Sequence, residues 1–372
     1  MEISSSKVNV IAFYLPQFHT IPENDEAYGK GFTEWTNVKK AQPLFEGHRQ
    51  PRVPLNNNYY CLLDEGKTME WQAKLAKDNG VFGFCYYHYY FKDGKLLLEK
   101  PLEEMLLNKK IDIPFCLCWA NENWSKRWDG GNNEVIVSQN YDDLDGIEKH
   151  VEYLAKFMKD ERYITINGKP ILIIYKPDLI PNLREYVSRI RECFAKQGFE
   201  SIYIASQYPL FYLANKNLDI FDYYLQFEPM FTDRRVKRDA HPFKQFVKRV
   251  LIKLHLFNKV DSMKKVSLTH ENYDEMWQNN LNFKVNDKRL IAGAFVDWDN
   301  TARNKNGTVY DGVTTEKFAK YFDELVKKTK KEYSLPMIFI NAWNEWCEGT
   351  YLEPDTDHNY EYLEAINKSI NG

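Results

Sequence analysis

The chain has 372 residues, with 50 Lys and Arg against 53 Asp and Glu, a formal net charge of −3. That near balance excludes a dedicated nucleic-acid binder, which carries a basic surplus, and a chain this long can bury a core without disulfide or metal staples. Aromatic residues are the unusual feature: 9 Trp, 25 Tyr and 23 Phe make up 15% of the chain, and their flat apolar faces with polar tips suit either a core or a sugar cleft.

The N-terminal stretch MEISSSKVNVIAFYLPQF has no charged start, no apolar run of signal length and no small-residue cleavage site, so no secretory leader is expected. Val8–Tyr14 reads as a first strand. A long loop follows, Pro16–Asn58, carrying Pro16, Pro22, Pro43, Pro51 and Pro54. Thr68–Asn79 then has helical spacing through Met69, Trp71, Ala73, Leu75 and Ala76. Further strand-like runs are Val81–Tyr87, Phe115–Trp119, Ile171–Tyr175, Ile202–Ser206, Tyr223–Phe227, Leu290–Val296 and Met337–Ala342. Helical patterns recur at Asp145–Lys159 and Thr315–Lys328. The longest apolar runs, such as Val81–Phe91, are about half the length that spans a bilayer.

Near-continuous apolar strands are those buried on both faces, as in a parallel sheet, and their alternation with helices predicts an α/β architecture. Eight of them favour a single (β/α)8 barrel of the TIM type over a doubly wound sheet. The expected domain is residues 1–372, with residues 16–58 as a lid-like first βα loop and residues 232–265 as a basic helical insert. No G-x-G-x-x-G or G-x-x-x-x-G-K-[ST] turn is present to cradle phosphates. The insert holds eleven Lys and Arg, and Phe243, Phe246, Val247, Val250, Leu251 and Leu254 recur in it at helical spacing. Such a helix either packs on the barrel with a basic outer face or lies on an anionic membrane.

A barrel collects its functional residues at the C-terminal ends of its strands. Here those ends bring Tyr14, Gln17 and His19, then His88, then Trp119, Asn121, Glu122 and Trp124. Gln207, Glu228, Asp297, Trp298, Asn344 and Trp346 follow. Amides and carboxylates grip hydroxyls, and indoles stack on the C–H faces of sugar rings, so these residues are the expected substrate-binding set. The sharpest local signal is Asn344-Glu345-Trp346-Cys347-Glu348-Gly349-Thr350. Glycosidic-bond chemistry needs one protonated and one ionised carboxyl group around the anomeric centre, and burial with mutual repulsion can separate two such groups. An isolated E-x-x-E also fits a helix start with one Glu capping free N–H groups; in a Trp-rich strand end, Glu345 and Glu348 are the expected catalytic pair.

The histidines lack metal-ligand spacing, and the six cysteines form no paired framework beyond Cys116-x-Cys118. No metal and no cofactor are expected. The triplets Asp297-Trp298-Asp299, Asp143-Leu144-Asp145 and Asp355-Thr356-Asp357 match the D-x-D pattern of metal-dependent nucleotide-sugar transferases, but three occurrences in one acidic chain make the signal cheap.

The segments VIAFYLPQFH (Val10–His19), PENDEAYGKGFTEWTNV (Pro22–Val38), PLFEGHRQPRVP (Pro43–Pro54), WANENW (Trp119–Trp124), WDNTAR (Trp298–Arg303) and NEWCEGT (Asn344–Thr350) resemble the WbsX family. That family is also described as glycoside hydrolase family 99-like and is associated with bacterial lipopolysaccharide and O-antigen synthesis. A narrower resemblance, in N-E-W-x-E-G-T, extends to family 99 endo-α-mannosidases. It implies that Glu345 takes the proton of a sugar 2-hydroxyl, which displaces the leaving group through a 1,2-anhydro intermediate. Glu348 then serves as acid and base, with configuration retained. Cys347 stands where family 99 often has His, and the first loop and WANENW depart from the mannosidase pattern, so mannose specificity is not implied. The match also implies that Glu34, Trp35, His48, Arg49 and Gln50 fold over the barrel mouth.

The expectation is therefore a retaining carbohydrate-active enzyme serving surface polysaccharide assembly. Its partner would be an oligosaccharide or lipid-linked glycan, with no nucleic acid. Its location would be cytoplasmic, with peripheral contact at the inner membrane; the sequence does not specify an oligomeric state. A non-catalytic glycan-binding barrel and a metal-dependent nucleotide-sugar glycosyltransferase are the alternatives.

Overall fold

The computed structural model describes residues 1–126, 134–142, 144–216, 218–240 and 267–372. Eight parallel strands form the centre: Asn9–Tyr14, Val81–Tyr90, Phe115–Trp119, Lys169–Ile174, Tyr203–Ser206, Tyr223–Leu225, Leu290–Phe295 and Met337–Asn341. Each pairs with the next in chain order, and the eighth pairs with the first, so the sheet closes on itself. This is a (β/α)8 barrel. Closure leaves the ring of strands with no free edge.

The strand sequences explain their burial. All six residues of the first strand and all six of the seventh are buried, one face toward the barrel axis and the other toward the outer helices. Helix Lys67–Asp78 turns Thr68, Met69, Gln72, Ala73 and Ala76 inward. Helix Thr315–Glu332 does the same with Phe318, Phe322 and Leu325, and its N-cap Thr314 accepts from the Lys317 amide. Gly293 sits where strands six and seven approach most closely; a Cβ there would lie 1.5 Å from the Gln226 carbonyl oxygen, so no side chain fits.

The long first loop is built from helices Pro22–Tyr28 and Glu34–Lys40 and a short turn at Leu55–Asn57. Of the basic insert, Thr232–Ala240 belongs to helix Met230–Ala240 and packs on the barrel. Arg235 donates to the Asn279 carbonyl, Lys237 pairs with Asp233 and Glu271, and Arg238 donates to the Leu213 carbonyl. The amphipathic run Phe243–Leu254 and the Asp143 triplet position lie outside the described residues. Among the described residues no helix is long and apolar enough to cross a membrane.

Candidate active site

A cavity of about 430 Å³ opens at the C-terminal ends of the strands. Leu15 and Gln17 line it from the first strand end, Tyr87 and Tyr89 from the second, and Glu122, Asn123 and Trp124 from the third. Tyr175 and Lys176 come from the fourth, Phe227 and Met230 from the sixth, Trp298, Asn300 and Arg303 from the seventh, and Glu345 and Glu348 from the eighth. Six aromatic rings thus wall a space that ends in two carboxyl groups.

The motif after the eighth strand folds as a hairpin rather than a helix start. Asn344–Glu345 pairs antiparallel with Thr350–Tyr351, and Trp346–Glu348 forms a single 3-10 turn between them. Gly349 closes the turn at φ 64°, in the left-handed region, and a Cβ there would lie 2.9 Å from the Asp299 backbone; only glycine meets both demands. The turn is tied down behind. Asn344 donates to the Leu15 carbonyl and accepts from the Leu15 amide at 3.0 and 2.8 Å, and Thr350 donates to the Asn341 carbonyl at 2.6 Å. The Cys347 amide donates to the Glu34 carboxylate at 3.0 Å.

One guanidinium spans the two carboxyls. Arg303 Nη1 lies 2.9 Å from Glu348 Oε1, and Nη2 lies 3.7 Å from Glu345 Oε2. Glu345 is buried and pushed well above the usual carboxylate range, first by loss of hydration and then by repulsion from Glu348, with Arg303 pulling the other way. Glu34, fully buried behind the turn, is also pushed up by burial against the pull of Arg303. Burial and the repulsion from Glu348 let Glu345 keep its proton to higher pH than an exposed carboxyl would. Burial also pushes the Cys347 thiol up; its Sγ donates to the Glu34 carbonyl, so it stays neutral and faces away from the cavity.

Of the residues expected from sequence to bind substrate, Gln17, Glu122, Trp124 and Trp298 line the cavity. Gln17 donates to the Tyr89 hydroxyl at 3.1 Å, and Trp124 donates to Asn24. Glu122 pairs with Lys176 at 2.5 Å, and the Lys176 ammonium lies 5.2 and 5.5 Å from the rings of Tyr175 and Tyr208. The others are placed elsewhere, and strand alternation accounts for several of them. Tyr14 points outward, its hydroxyl donating to Gln72 at 2.6 Å. His88 lies between the cavity residues Tyr87 and Tyr89, so it faces the opposite way and meets His150 at 2.9 Å. Burial pushes His88 down to about 3 and His150 down as well, so both rings are neutral. Trp119 also faces outward, donating to the Tyr90 carbonyl and packing on His150 and Tyr186.

Polar groups expected to reach sugar instead hold backbone. Asn121 donates to the Lys176 carbonyl and accepts from its amide at 2.8 and 2.7 Å, which fixes the lysine that lines the cavity. Gln207 sits beneath the cavity and donates to the Tyr87 hydroxyl at 3.1 Å. Glu228 caps helix Met230–Ala240, accepting from the Thr232 amide and hydroxyl, and burial pushes it up to about 7. His19 is buried in the first loop and pushed down to about 4 by that burial. Trp35 and Trp346 pack on each other behind the Glu345–Glu348 turn, 5.2 Å between centroids.

Asp297 does not reach the cavity. It accepts from Arg49 and Arg52 at 2.9 and 3.0 Å, while Asp299 accepts from Gln50 and pairs with His48 at 3.0 Å. This D-x-D triplet is a lock that bolts the first loop to the seventh strand end, and Asp355 is likewise engaged by Tyr351 and His358. His48, Arg49 and Gln50 serve that lock, and Glu34 and Trp35 lie beneath the Glu345–Glu348 turn rather than over the mouth.

Of the other lining residues, Tyr87, Tyr89, Lys176 and Asn300 stand among the strand-end residues legible in the sequence, whereas Tyr175 and Arg303 carry no such local signal. Arg303 was in view as the last residue of WDNTAR, but nothing in its neighbours shows that it reaches across to another strand end. Inside the barrel the Phe13 ring stacks on Tyr87 at 5.6 Å, so Tyr87 and, two residues on, Tyr89 share the inward face.

The family model described as Glycosyltransferase WbsX matches residues 10–366. The chain belongs to that family. The WxcX proteins of two strains of Xanthomonas campestris pv. campestris are 34% identical over 365 residues, covering 97% of this chain. The match covers 49% of each, so the chain spans about half the length of these relatives. Among solved structures, a GH99 endo-alpha-mannosidase from Bacteroides thetaiotaomicron aligns with a TM-score of 0.56 at 12% identity, covering 98% of this chain and 96% of that one. A glycoside hydrolase-like protein aligns with a TM-score of 0.59 at 13% identity, covering 98% and 94%. At these identities the likeness establishes the shared barrel.

Proposed function

We propose that this chain makes or breaks a glycosidic bond with retention of configuration, in the assembly of a bacterial surface polysaccharide such as the O-antigen of lipopolysaccharide. Glu345 and Glu348 are the reacting carboxyls in this reading. The observation that carries it is their placement on one tight turn, spanned by Arg303, at the end of a cavity walled by aromatic rings. Rings of this kind offer faces to the C–H side of a pyranose, and two carboxyls facing one cavity can supply both an acid and a base.

The role split follows the family resemblance. Glu345 takes the 2-hydroxyl proton as that oxygen attacks C1, and the leaving oxygen departs with a proton from Glu348. An acceptor hydroxyl or water then opens the 1,2-anhydro ring, returning its proton to Glu348 while Glu345 gives one back to the 2-oxygen. The site is proposed to work at the cytoplasmic face of the inner membrane on a lipid-linked glycan, a reading supported by the basic amphipathic pattern of Phe243–Leu254 in the sequence.

The pH dependence of kcat/KM reports the pair as a unit. Glu345 acts as a base only when ionised, so the acid limb of the profile lies above the usual carboxylate range because Glu345 is raised. Arg303 lowers Glu345, so Arg303→Gln is expected to move that limb to higher pH; a limb that stays in place or moves down overturns the shared-cation account. The reading as a whole is tested by incubating the protein with delipidated O-polysaccharide oligosaccharides of Xanthomonas campestris and of the strain that carries this chain. Mass spectrometry and anomeric NMR of the first-formed products are expected to show retained stereochemistry. Inverted products reject the mechanism, and binding without turnover supports a glycan-binding barrel instead.

A further inference from the structure

A second pocket, of about 370 Å³, lies apart from the catalytic cavity and shares no lining residue with it. Its rim carries Trp71 and Tyr360, exposed at 37% and 40%. Trp71 sits on helix Lys67–Asp78, whose inward face is complete without it. Among the described residues neither ring stacks on another aromatic, so folding does not account for an indole and a phenol presented to solvent at one opening. A group of exposed apolar rings at one opening, rather than a single exposed side chain, is the informative feature of a surface.

Between them the chain presents three consecutive amides, Asn56, Asn57 and Asn58, all exposed. Asn56 and Asn57 have φ of 58° and 55°. Asparagine tolerates the left-handed region, which explains those two positions on backbone grounds. Asn58, at φ −73°, has no such reason to be asparagine. The turn is held rigid: the Leu55 amide donates to the Pro354 carbonyl at 3.0 Å and the Asn57 amide to the Pro54 carbonyl at 2.9 Å.

The pocket floor is fixed as firmly. The Glu353 carboxylate accepts from Gln72, Trp343, Tyr60 and Trp346 at 2.6, 3.1, 2.9 and 2.7 Å. Its lone pairs are taken up by the protein, so it recognises nothing itself. It holds the Trp346 indole in place at the base of the pocket, one residue from catalytic-turn Glu345.

Exposed rings at a rim, amides that both donate and accept, and a rigid base are what a single pyranose requires. We propose that this pocket is a second glycan-binding site, taking one neutral pyranose residue with its C–H face on Trp71 and its hydroxyls on the Asn56–Asn58 amides. It rests on the carbohydrate-active reading of the chain but not on the roles of Glu345 and Glu348. Its use is to hold a distal unit of a polymeric substrate or product.

The test uses the full chain, labelled with 15N at the tryptophan indoles and carrying Glu345→Gln so that no turnover intervenes. It is titrated with methyl α-D-mannopyranoside, methyl α-D-glucopyranoside, methyl α-D-galactopyranoside and methyl α-L-rhamnopyranoside at millimolar concentrations. At least one of the four is expected to shift the Trp71 indole resonance in a saturable way, and Asn58→Ala is expected to weaken that binding about tenfold, which corresponds to about 1.4 kcal/mol. Trp71→Phe should keep the affinity, read by ligand-observed saturation transfer with Trp298→Ala silencing the catalytic cavity, and Trp71→Ala should lose it. A Trp71 resonance that none of the four moves overturns the proposal. Shifts confined to the cavity indoles Trp124 and Trp298 do the same while leaving the catalytic reading intact. Saturation at Trp71 when the unsubstituted chain turns over none of the O-polysaccharide oligosaccharides removes the catalytic reading and keeps this one.

Discussion

Glu345→Gln and Glu348→Gln are each expected to lower kcat by about 10²–10⁴-fold, the range for loss of a positioned acid or base, while KM changes little. The two substitutions keep side-chain shape, so the loss reports chemistry. Their effects on stability differ in sign, and this separates catalysis from packing. Glu345 is buried, its Oε2 has no hydrogen-bond partner, and its charged form is disfavoured in the fold. A neutral amide there removes the repulsion from Glu348, so Tm is expected to hold or rise. Glu348→Gln removes the 2.9 Å pair with Arg303; both side chains are about one-fifth exposed, so the cost in stability is expected to be small. Turnover that survives in both variants would remove these carboxyls from the mechanism. Loss of activity together with a large fall in Tm at Glu345 would make it structural.

The second large effect is expected at Asp297. Its carboxylate pairs with Arg52 at 3.0 Å, with side-chain exposures of 4% and 5%, and with Arg49 at 2.9 Å. Removing one member of a buried pair leaves the other charge without compensation, which costs about 3–5 kcal/mol. Asp297→Ala is therefore expected to lower the unfolding free energy, read from a denaturant melt, by up to that amount, with Arg52 left to Asp299 at 3.7 Å. Asp297→Asn, which still accepts a hydrogen bond, should lose less. Because Asp297 is absent from the cavity lining, the folded fraction of either variant should keep its KM. Unchanged stability with a raised KM would instead make Asp297 a sugar ligand.

These two predictions mark where the sequence was legible. Glu345 and Glu348 could be read because their spacing and their position after an apolar run are local facts, and a turn of a few residues brings them together. Asp297 could not. It lies one residue from Trp298, which does line the cavity, and at a strand end the two neighbours face opposite sides. The same parity separates His88 from Tyr87 and Tyr89. Composition marked all of these as polar or aromatic groups at strand ends, but a single residue of register decides which of them meet the cavity. Asn121 and Asn344 show a second limit. An amide that grips a sugar hydroxyl and an amide that grips a backbone peptide are the same group in sequence, and these two bond the Lys176 and Leu15 backbones.

The long first loop shows a third. Its motif residues suggested a lid, and they do contact the site region, but from behind. Glu34 supports the Cys347 amide, Trp35 packs on Trp346, and His48, Arg49 and Gln50 hold Asp297 and Asp299. Partners more than two hundred residues apart meet there, and no local pattern encodes such a meeting.

By itself the sequence determined the barrel, through eight apolar runs alternating with helical spacing, and the carboxyl pair of the last strand end, through a motif that folds on its own neighbours. Only the tertiary structure decided that Arg303 spans that pair, that six aromatic rings wall the cavity, and that the Asp297 triplet is a lock. The physical reason is range. Periodicity and turn chemistry act within a few residues, whereas a salt bridge or a cavity wall exists only after closure of the barrel has brought distant strand ends within a few ångströms.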